Sequence, residues 1–390
     1  MQFHSSDFNE SLHRTVVTRI AQGLLRQRRQ LDSPQGPKIR FNDREVLNFC
    51  SNDYLGLANH PALIEALIQG VEKYGVGSGA SPMVCGYSKA HAQLEERVAE
   101  FTGRQRALIF STGYMANLAI VTSLLDRSDA VIGDRLNHAS MIDAARLSHV
   151  RLKRYKHADP QSLENTLAVT NAVKILVVTD GVFSMDGDIA PLPELAAVCK
   201  SYHAWLAVDD AHGFGVLGNK GSGTLNYFDV STQEIPVLMA TFGKALGIFG
   251  AFVAGDDELI ETLMQTARAY IYTTAPPPAL ACATLRAIEL IEQETWRREY
   301  LFALIQRFKA GAKQLNLPIR DSETPIQPLI IGETRRTAEI SNALLDKEIF
   351  ISPIRPPTVP RGTSRLRITL TAAHTEQQVD HLLETLAAVL

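Results

Sequence analysis

The stretch Trp205-Leu206-Ala207-Val208-Asp209-Asp210-Ala211-His212-Gly213 decides how the chain is read. Its apolar residues run without alternation and then stop at two carboxylates, a histidine and a glycine. A short continuous apolar run reads as a strand buried on both faces. Similar runs occur at 107–110, 130–132, 150–152 and 173–179, with helical segments between them at about 113–125, 138–147, 160–169 and 192–203. Such an alternation indicates an α/β fold, a mostly parallel sheet sandwiched by helices. Ligands of these sheets sit beyond the carboxyl ends of the strands. That rule selects the loops at 111–114, 137–138, 180–188, 209–212 and 241–244.

The last of these holds Thr241-Phe242-Gly243-Lys244-Ala245-Leu246-Gly247, between apolar runs at 236–240 and 251–254. Strand, loop and strand is the reading. An ammonium avoids apolar surroundings unless paired or neutralised. Desolvation lowers a lysine pKa, and a neutral amine is a nucleophile toward carbonyls. Taken alone, Lys244 also fits an exposed turn.

Toward the N-terminus, Leu12, Val16, Ile20 and Leu24 are spaced by four, which predicts an amphipathic helix over 11–31 ending in Arg26, Arg28 and Arg29. A Ser33-Pro34-Gln35-Gly36-Pro37 break follows, then a hairpin over 39–49 turning at Asn42-Asp43. Pro61 and Gly75 bracket a further helix, and another runs from about 88 to 101 before Gly103. Gly75-Val76-Gly77-Ser78-Gly79 follows a helix with the wrong spacing, so it is not a dinucleotide fingerprint. Beyond Pro276-Pro277-Pro278 come helices near 279–293 and 297–314. Strands at 327–332, 349–353 and 365–370 and a closing helix from about 375 complete the chain. Three units result: an arm at 1–45, a large α/β domain at 46–285 and a small C-terminal α+β domain at 286–390.

A net charge of −3 gives no support for nucleic-acid or anionic-membrane binding, and no apolar run is long enough to span a bilayer. Met1-Gln2-Phe3-His4 lacks a secretory layout, and four scattered cysteines suggest neither a metal site nor a disulfide framework. A cytoplasmic protein with reduced thiols and no metal is expected.

The selected loops carry a coherent set of groups. One of Asp209 and Asp210 must face back toward the sheet edge, where a buried carboxylate needs a positive partner or a proton. A protonated pyridine nitrogen would serve. Ser111-Thr112-Gly113-Tyr114 follows a strand and opens a helix, so free N–H groups and the helix dipole form an anion site, to which Thr241 adds a hydroxyl. An acidic turn and an ordinary N-cap are the plainer readings of these two features. His138 and His212 each follow a strand, one suited to stack on a planar ring and one to contact its substituents. Together these groups meet the needs of pyridoxal 5′-phosphate.

The sequence resembles the α-oxoamine synthases of the fold-type-I pyridoxal-phosphate enzymes over nearly its whole length. The resemblance is carried by Ser51-Asn52-Asp53-Tyr54-Leu55-Gly56-Leu57, Asn137-His138-Ala139-Ser140, Gly181-Val182-Phe183-Ser184-Met185-Asp186-Gly187-Asp188, Val208-Asp209-Asp210-Ala211-His212-Gly213, Thr241-Phe242-Gly243-Lys244 and Arg365-Leu366-Arg367-Ile368-Thr369. It implies that Lys244 holds the cofactor aldehyde and takes the substrate α-proton, and that Asp209 pairs with the ring nitrogen. His138 would stack on the ring and His212 contact its phenolic oxygen near Ser184, with Gly113, Tyr114 and Thr241 also holding the cofactor. Arg367 would take the amino-acid carboxylate, and His138, Arg26 and Thr358 would line the substrate site. Family members are homodimers with shared active sites, and Thr273 and Thr274 match the position from which one subunit reaches its neighbour's phosphate.

Ile354-Arg355-Pro356-Pro357-Thr358-Val359-Pro360 resembles the branch that condenses L-alanine with a pimeloyl thioester in biotin biosynthesis, carried on coenzyme A or acyl-carrier protein. A sister branch uses glycine and a short acyl-CoA. Asp180 stands where that family more often has Glu, Ala245-Leu246 where a Gly-Phe type pair is usual, and Tyr114 where a Phe is expected.

Overall fold

The chain enters through a helix and a hairpin, α1 (Ser5–Ala21), β1 (Lys38–Phe41) and β2 (Arg44–Asn48), in a computed structural model that describes residues 5–26, 28–41 and 43–390. Two helices follow, α2 (Pro61–Tyr74) and α3 (Lys89–Thr102), with a single π-turn at Pro82–Gly86 between them. Their ends obey local chemistry. Pro61 opens α2, a Ser88–His91 capping box opens α3, and Gly103 closes α3 in the left-handed region.

The central sheet is then laid down by β3 (Arg106–Phe110), β4 (Ala130–Asp134), β5 (Arg151–Tyr155), β6 (Ile175–Asp180), β7 (Trp205–Asp209), β8 (Val237–Thr241) and β9 (Ala251–Gly255). Its spatial order is β3-β9-β8-β7-β6-β4-β5. The connections carry α4 (Gly113–Leu124), α5 (Ala139–Leu147), α6 (Pro160–Ala168), α7 (Leu192–Ser201) and the short α8 (Thr224–Tyr227). Strands β4 to β8 pair in parallel, whereas β9 runs antiparallel to both β8 and β3. The reason is chain length. Only residues 242–250 separate β8 from β9, too few for the dozen or more that a parallel crossover needs.

Burial on both faces explains the unbroken apolar runs. Leu206 and Val208 of β7 join one core while Ala207 joins the other, and Leu238 and Ala240 of β8 split likewise from Val237 and Met239. Each fully buried side chain of Val or Leu size contributes about 1.5–3 kcal/mol. The carboxyl ends of β4, β6, β7 and β8 therefore line up along one edge of a rigid sheet.

The rest of the chain comprises α9 (Asp257–Thr266), α10 (Arg268–Ile271), α11 (Pro278–Gln293), α12 (Trp296–Gln314), β10 (Ile326–Gly332), α13 (Thr334–Asp346), β11 (Ile349–Phe350), β12 (Pro353–Ile354), β13 (Ser364–Thr369) and α14 (Glu376–Val389). β10, β13 and β12 form a second sheet, and β11 pairs in parallel with β2 of the N-terminal hairpin. Among the described residues, no helix is long and apolar enough to cross a membrane.

Two expectations need correction, and one element was not foreseen. The first helix does not run over 11–31 but ends at Ala21. Gly23 adopts φ 66°, which terminates the helix, and Arg355 then donates to the carbonyls of Gly23 and Leu25, so Arg26, Arg28 and Arg29 lie beyond the helix on irregular chain. The strand expected at 349–353 is split into β11 and β12, which serve different sheets. The segment between the expected strands at 327–332 and 349–353 is helical, as α13. The hairpin turn expected at Asn42-Asp43 falls partly outside the described residues at Asn42, although Asp43 shows the left-handed φ of 58° that such two-residue turns require.

Candidate active site

At the end of β7 the two carboxylates part, because successive strand residues face opposite ways. Asp210 is fully buried and accepts from the backbone N–H of Thr224 at 2.7 Å. Gly223, at φ 108°, lies so close that a methyl there would overlap Asp210. Burial pushes the Asp210 pKa up to about 7, against the Thr224 hydrogen bonds. This residue pins the loop beneath the site. Asp209 faces the other way, and its Oδ2 accepts from Asn117 Nδ2 at 2.7 Å while Oδ1 accepts from the N–H of Ala211 at 3.1 Å.

Asn117 lies one turn into α4 and also donates to Ser140 Oγ at 2.9 Å. Ser140 Oγ is in turn 2.7 Å from Nδ1 of His138, whose ring is exposed at the head of α5. One chain of hydrogen bonds thus ties the candidate stacking histidine to the candidate ring-nitrogen partner. Asp180, the register partner of Asp209 on β6, accepts from the N–H of His138 at 3.2 Å. Burial, and then the neighbouring Asp209 charge, hold the Asp180 pKa well above the usual carboxylate range.

Lys244 lies in the loop from β8 to β9 and is half-buried. Burial pushes its pKa down to about 8, opposed by Asp209 and aided by Arg367. An amine with that pKa is far more often neutral near neutral pH than an ordinary lysine, and the neutral form is the nucleophile toward carbonyls. His212 is buried, and its pKa lies well below the ordinary value because of burial and then the positive charges of Lys244 and Arg367. It is a neutral imidazole.

Behind His212 sits a buried polar cluster. The Tyr54 hydroxyl lies 2.6 Å from His212 Nδ1, 3.2 Å from Asn52 Oδ1 and 3.4 Å from Arg367 Nη2. Arg367 also donates to Asn52 Oδ1 at 3.0 Å and to the carbonyl of Ser184. The 181–188 loop that carries Ser184 is fastened at several points. Asp186 accepts from Arg365 at 2.7 Å and pairs with Arg320, while Ser322 and Thr324 donate to the Gly187 carbonyl. His157 bridges Asp134 at 3.0 Å and Asp188 at 2.7 Å. Burial opposes its charge, but the two carboxylates outweigh that and hold its pKa up to about 10.

Thr112 caps α4 by accepting from the N–H of Met115, so the first-turn N–H groups of Gly113 and Tyr114 are left for an anion. The Tyr114 hydroxyl points to Asp143 at 2.8 Å, away from any structural need at the helix end. Thr241 donates to the Gly250 carbonyl at 2.7 Å and accepts from the N–H of Gly243, so its hydroxyl proton is engaged in shaping the lysine loop. Arg26 donates to Thr358 Oγ1 at 3.2 Å, which brings the two candidate acyl contacts together from opposite ends of the chain. Thr273 and Thr274 follow α10 beside the exposed Tyr272. No hydrogen bond joins them to the Lys244 cluster among the described residues.

The profile of the family described as aminotransferase class I and II matches residues 44–386. The chain belongs to that family. It is 57% identical over 372 residues to an 8-amino-7-oxononanoate synthase of Nitrosococcus oceani, covering 95% of this chain and 99% of the relative. A serine palmitoyltransferase variant from S. paucimobilis, solved with pyridoxal phosphate and myriocin bound, superposes with a TM-score of 0.93 at 28% identity, covering 100% of this chain and 98% of that one. An 8-amino-7-oxononanoate synthase from Francisella tularensis gives a TM-score of 0.77 at 32% identity, covering 88% and 97%. Within the aminotransferase class I and II family, the chain is thus a fold-type-I, pyridoxal-phosphate-dependent acyltransferase of the α-oxoamine synthase group.

The donor set of this class I and II site fits that cofactor. Asp209 brings a buried carboxylate to the sheet edge, held in place by Asn117 and the Ala211 N–H, with Asp180 beside it on β6. A pyridinium N–H would supply a cationic donor, and the open turn of α4 would take the phosphate. Three contributors were not assigned from sequence. Asn117 had a usable signal, since it follows Gly113 by one helical turn. Tyr54 and Asn52 lay in a quoted motif, but their partners are 158 and 315 residues away.

Proposed function

We propose that this acyltransferase condenses L-alanine with a pimeloyl thioester, on coenzyme A or acyl-carrier protein, to give 8-amino-7-oxononanoate, carbon dioxide and the free thiol carrier. The observation that carries the reading is the Lys244 amine, poised near pKa 8 beside Asp209 and Arg367. When bound, pyridoxal phosphate supplies an aldehyde for that amine and an electron sink for the α-carbon of the amino acid.

The chain does the rest. Asp209, held by Asn117 and the Ala211 N–H, would pair with the ring nitrogen and keep it protonated. His138 would cover the ring and His212 would contact its phenolic oxygen. The N–H groups of Gly113 and Tyr114 would hold the phosphate, joined by Thr273 and Thr274 from the second subunit of a homodimer, while Thr241 supports the cofactor by shaping the lysine loop. Arg367 grips the substrate carboxylate with a planar, bidentate donor. Lys244 Nζ takes the α-proton, the carbon nucleophile displaces the thiol from the thioester, and the carboxylate leaves as carbon dioxide before a proton returns. Arg26 and Thr358 contact the acyl chain. We also infer that residues 1–45, 46–285 and 286–390 form an arm, a large cofactor-binding domain and a small C-terminal domain, in a cytoplasmic enzyme.

The test pairs L-alanine and glycine with a panel of acyl thioesters, reading products by mass. Preference for alanine and the pimeloyl chain supports the proposal. Preference for glycine with a short acyl-CoA overturns it in favour of the sister branch.

A further inference from the structure

We propose that Tyr54 is a positioning residue that links the carboxylate-binding Arg367 to His212 and fixes the proton of that imidazole on Nε2. The inference rests on the cofactor reading above and adds a residue to it.

Donor counts and the contact distances together set the direction of each bond. Tyr54 is fully buried, and its hydroxyl has three polar neighbours: His212 Nδ1 at 2.6 Å, Asn52 Oδ1 at 3.2 Å and Arg367 Nη2 at 3.4 Å. A guanidinium only donates, so Arg367 must give a proton to the phenol oxygen. The phenol has one proton of its own, for which His212 and Asn52 compete. Asn52 Oδ1 already accepts from Arg367 at 3.0 Å, and His212 Nδ1 is nearer by 0.6 Å (3.2 against 2.6 Å). The phenol therefore donates to Nδ1, and the neutral ring carries its hydrogen on Nε2. In that tautomer the free edge of His212 is a donor, which suits an anionic phenolic oxygen. In the other it is an acceptor and repels one.

The same oxygen receives from Arg367, so the link is a relay. A carboxylate bound at Arg367 draws the guanidinium N–H groups toward itself and weakens the donation to Tyr54. The phenol then becomes a poorer donor, and the electron demand at His212 changes. Occupation of the carboxylate site is thereby felt at the cofactor ring through neutral hydrogen bonds, with no proton changing owner. No atom of Tyr54 need touch the substrate.

The holoenzyme tests this with propionate, a carboxylate without the reactive amine. In the wild-type protein, propionate should shift the visible absorption band of the bound cofactor. In Tyr54→Phe the band should no longer respond, although propionate still competes with L-alanine. Turnover should fall on the order of 10-fold or more through misplacement of His212, with the KM for alanine changing less than kcat. A Tyr54→Phe band that answers propionate as the wild type does overturns the link, as does a wild-type band that ignores it. Nitrogen-15 spectra of histidine-labelled wild-type protein provide a check that needs no variant. They should show His212 with Nδ1 bare and Nε2 protonated, and the reverse assignment overturns the proposal. A wild-type protein that acquires no visible band in the presence of the cofactor instead refutes the cofactor reading itself.

Discussion

Asn117 and Asp209 are joined across the gap between α4 and β7, the amide Nδ2 donating to Oδ2 at 2.7 Å. The contact makes a helix residue responsible for the aim of a strand-end carboxylate. Removing the amide in Asn117→Ala leaves a buried carboxylate short of a donor, a loss of about 1–3 kcal/mol. The expected outcome is a protein that still binds pyridoxal phosphate at Lys244 but turns over roughly 10-fold more slowly. Cofactor content and kcat, measured on the same sample, check it.

Capture of the cofactor should depend on pH in a stated direction. Lys244 reacts as the neutral amine, and burial holds its pKa down to about 8. The rate at which apoprotein takes up pyridoxal phosphate should therefore rise about tenfold per pH unit below 8 and level off above it. Stopped-flow absorbance between roughly pH 6 and pH 9.5 would show this, whereas a lysine at its ordinary pKa of about 10.4 would keep gaining rate through the whole range.

The two arginine sites should separate kinetically. Arg367→Ala should raise the KM for alanine by a factor corresponding to about 1.5–3 kcal/mol, since it removes hydrogen bonds to a charged carboxylate. It also strips donors from Ser184, Asn52 and Tyr54, so some loss of thermal stability accompanies it. Arg26→Ala should raise the KM for the thioester and leave alanine nearly unaffected, because its contact is Thr358 rather than any member of the Arg367 cluster. Steady-state kinetics with each substrate varied in turn distinguish the two.

His157 ties the 181–188 loop to β4 through Asp134 and Asp188. Its pKa is raised to about 10 in the folded protein, against about 6.5 when free. The folded state thus holds the proton more tightly. The stabilisation is fully present below about pH 6.5 and is lost as pH rises through about 10. His157→Gln should lower stability by about 2–3 kcal/mol near pH 6, and that deficit should shrink toward alkaline pH. Urea midpoints at fixed protein concentration, taken at roughly pH 6, 8 and 10 to bracket that window, provide the measure.

What the sequence made legible follows from the range of each interaction. Strands buried on both faces leave continuous apolar runs, so β3, β4, β6, β7 and β8 could be read directly, and Lys244, Asp209, His138 and His212 fell on their ends. The antiparallel sense of β9 was implicit in the short 242–250 connection. The end of α1 was misread because the apolar spacing continues to Leu24, whereas Gly23 stops the helix in the left-handed region and Arg355 takes carbonyls beyond it. Tyr54 and Asn52 were hidden for a related reason. Their polar contacts reach segments far away in the sequence, and such contacts have no periodicity to reveal them.

If Lys244 holds the cofactor aldehyde, borohydride reduction of the holoenzyme fixes the cofactor to it. Peptide mass mapping should then find one pyridoxyl group per chain, on the peptide containing Lys244, and none in Lys244→Ala. Pyridoxyl on another lysine, or an unmodified wild-type chain after reduction, would contradict it.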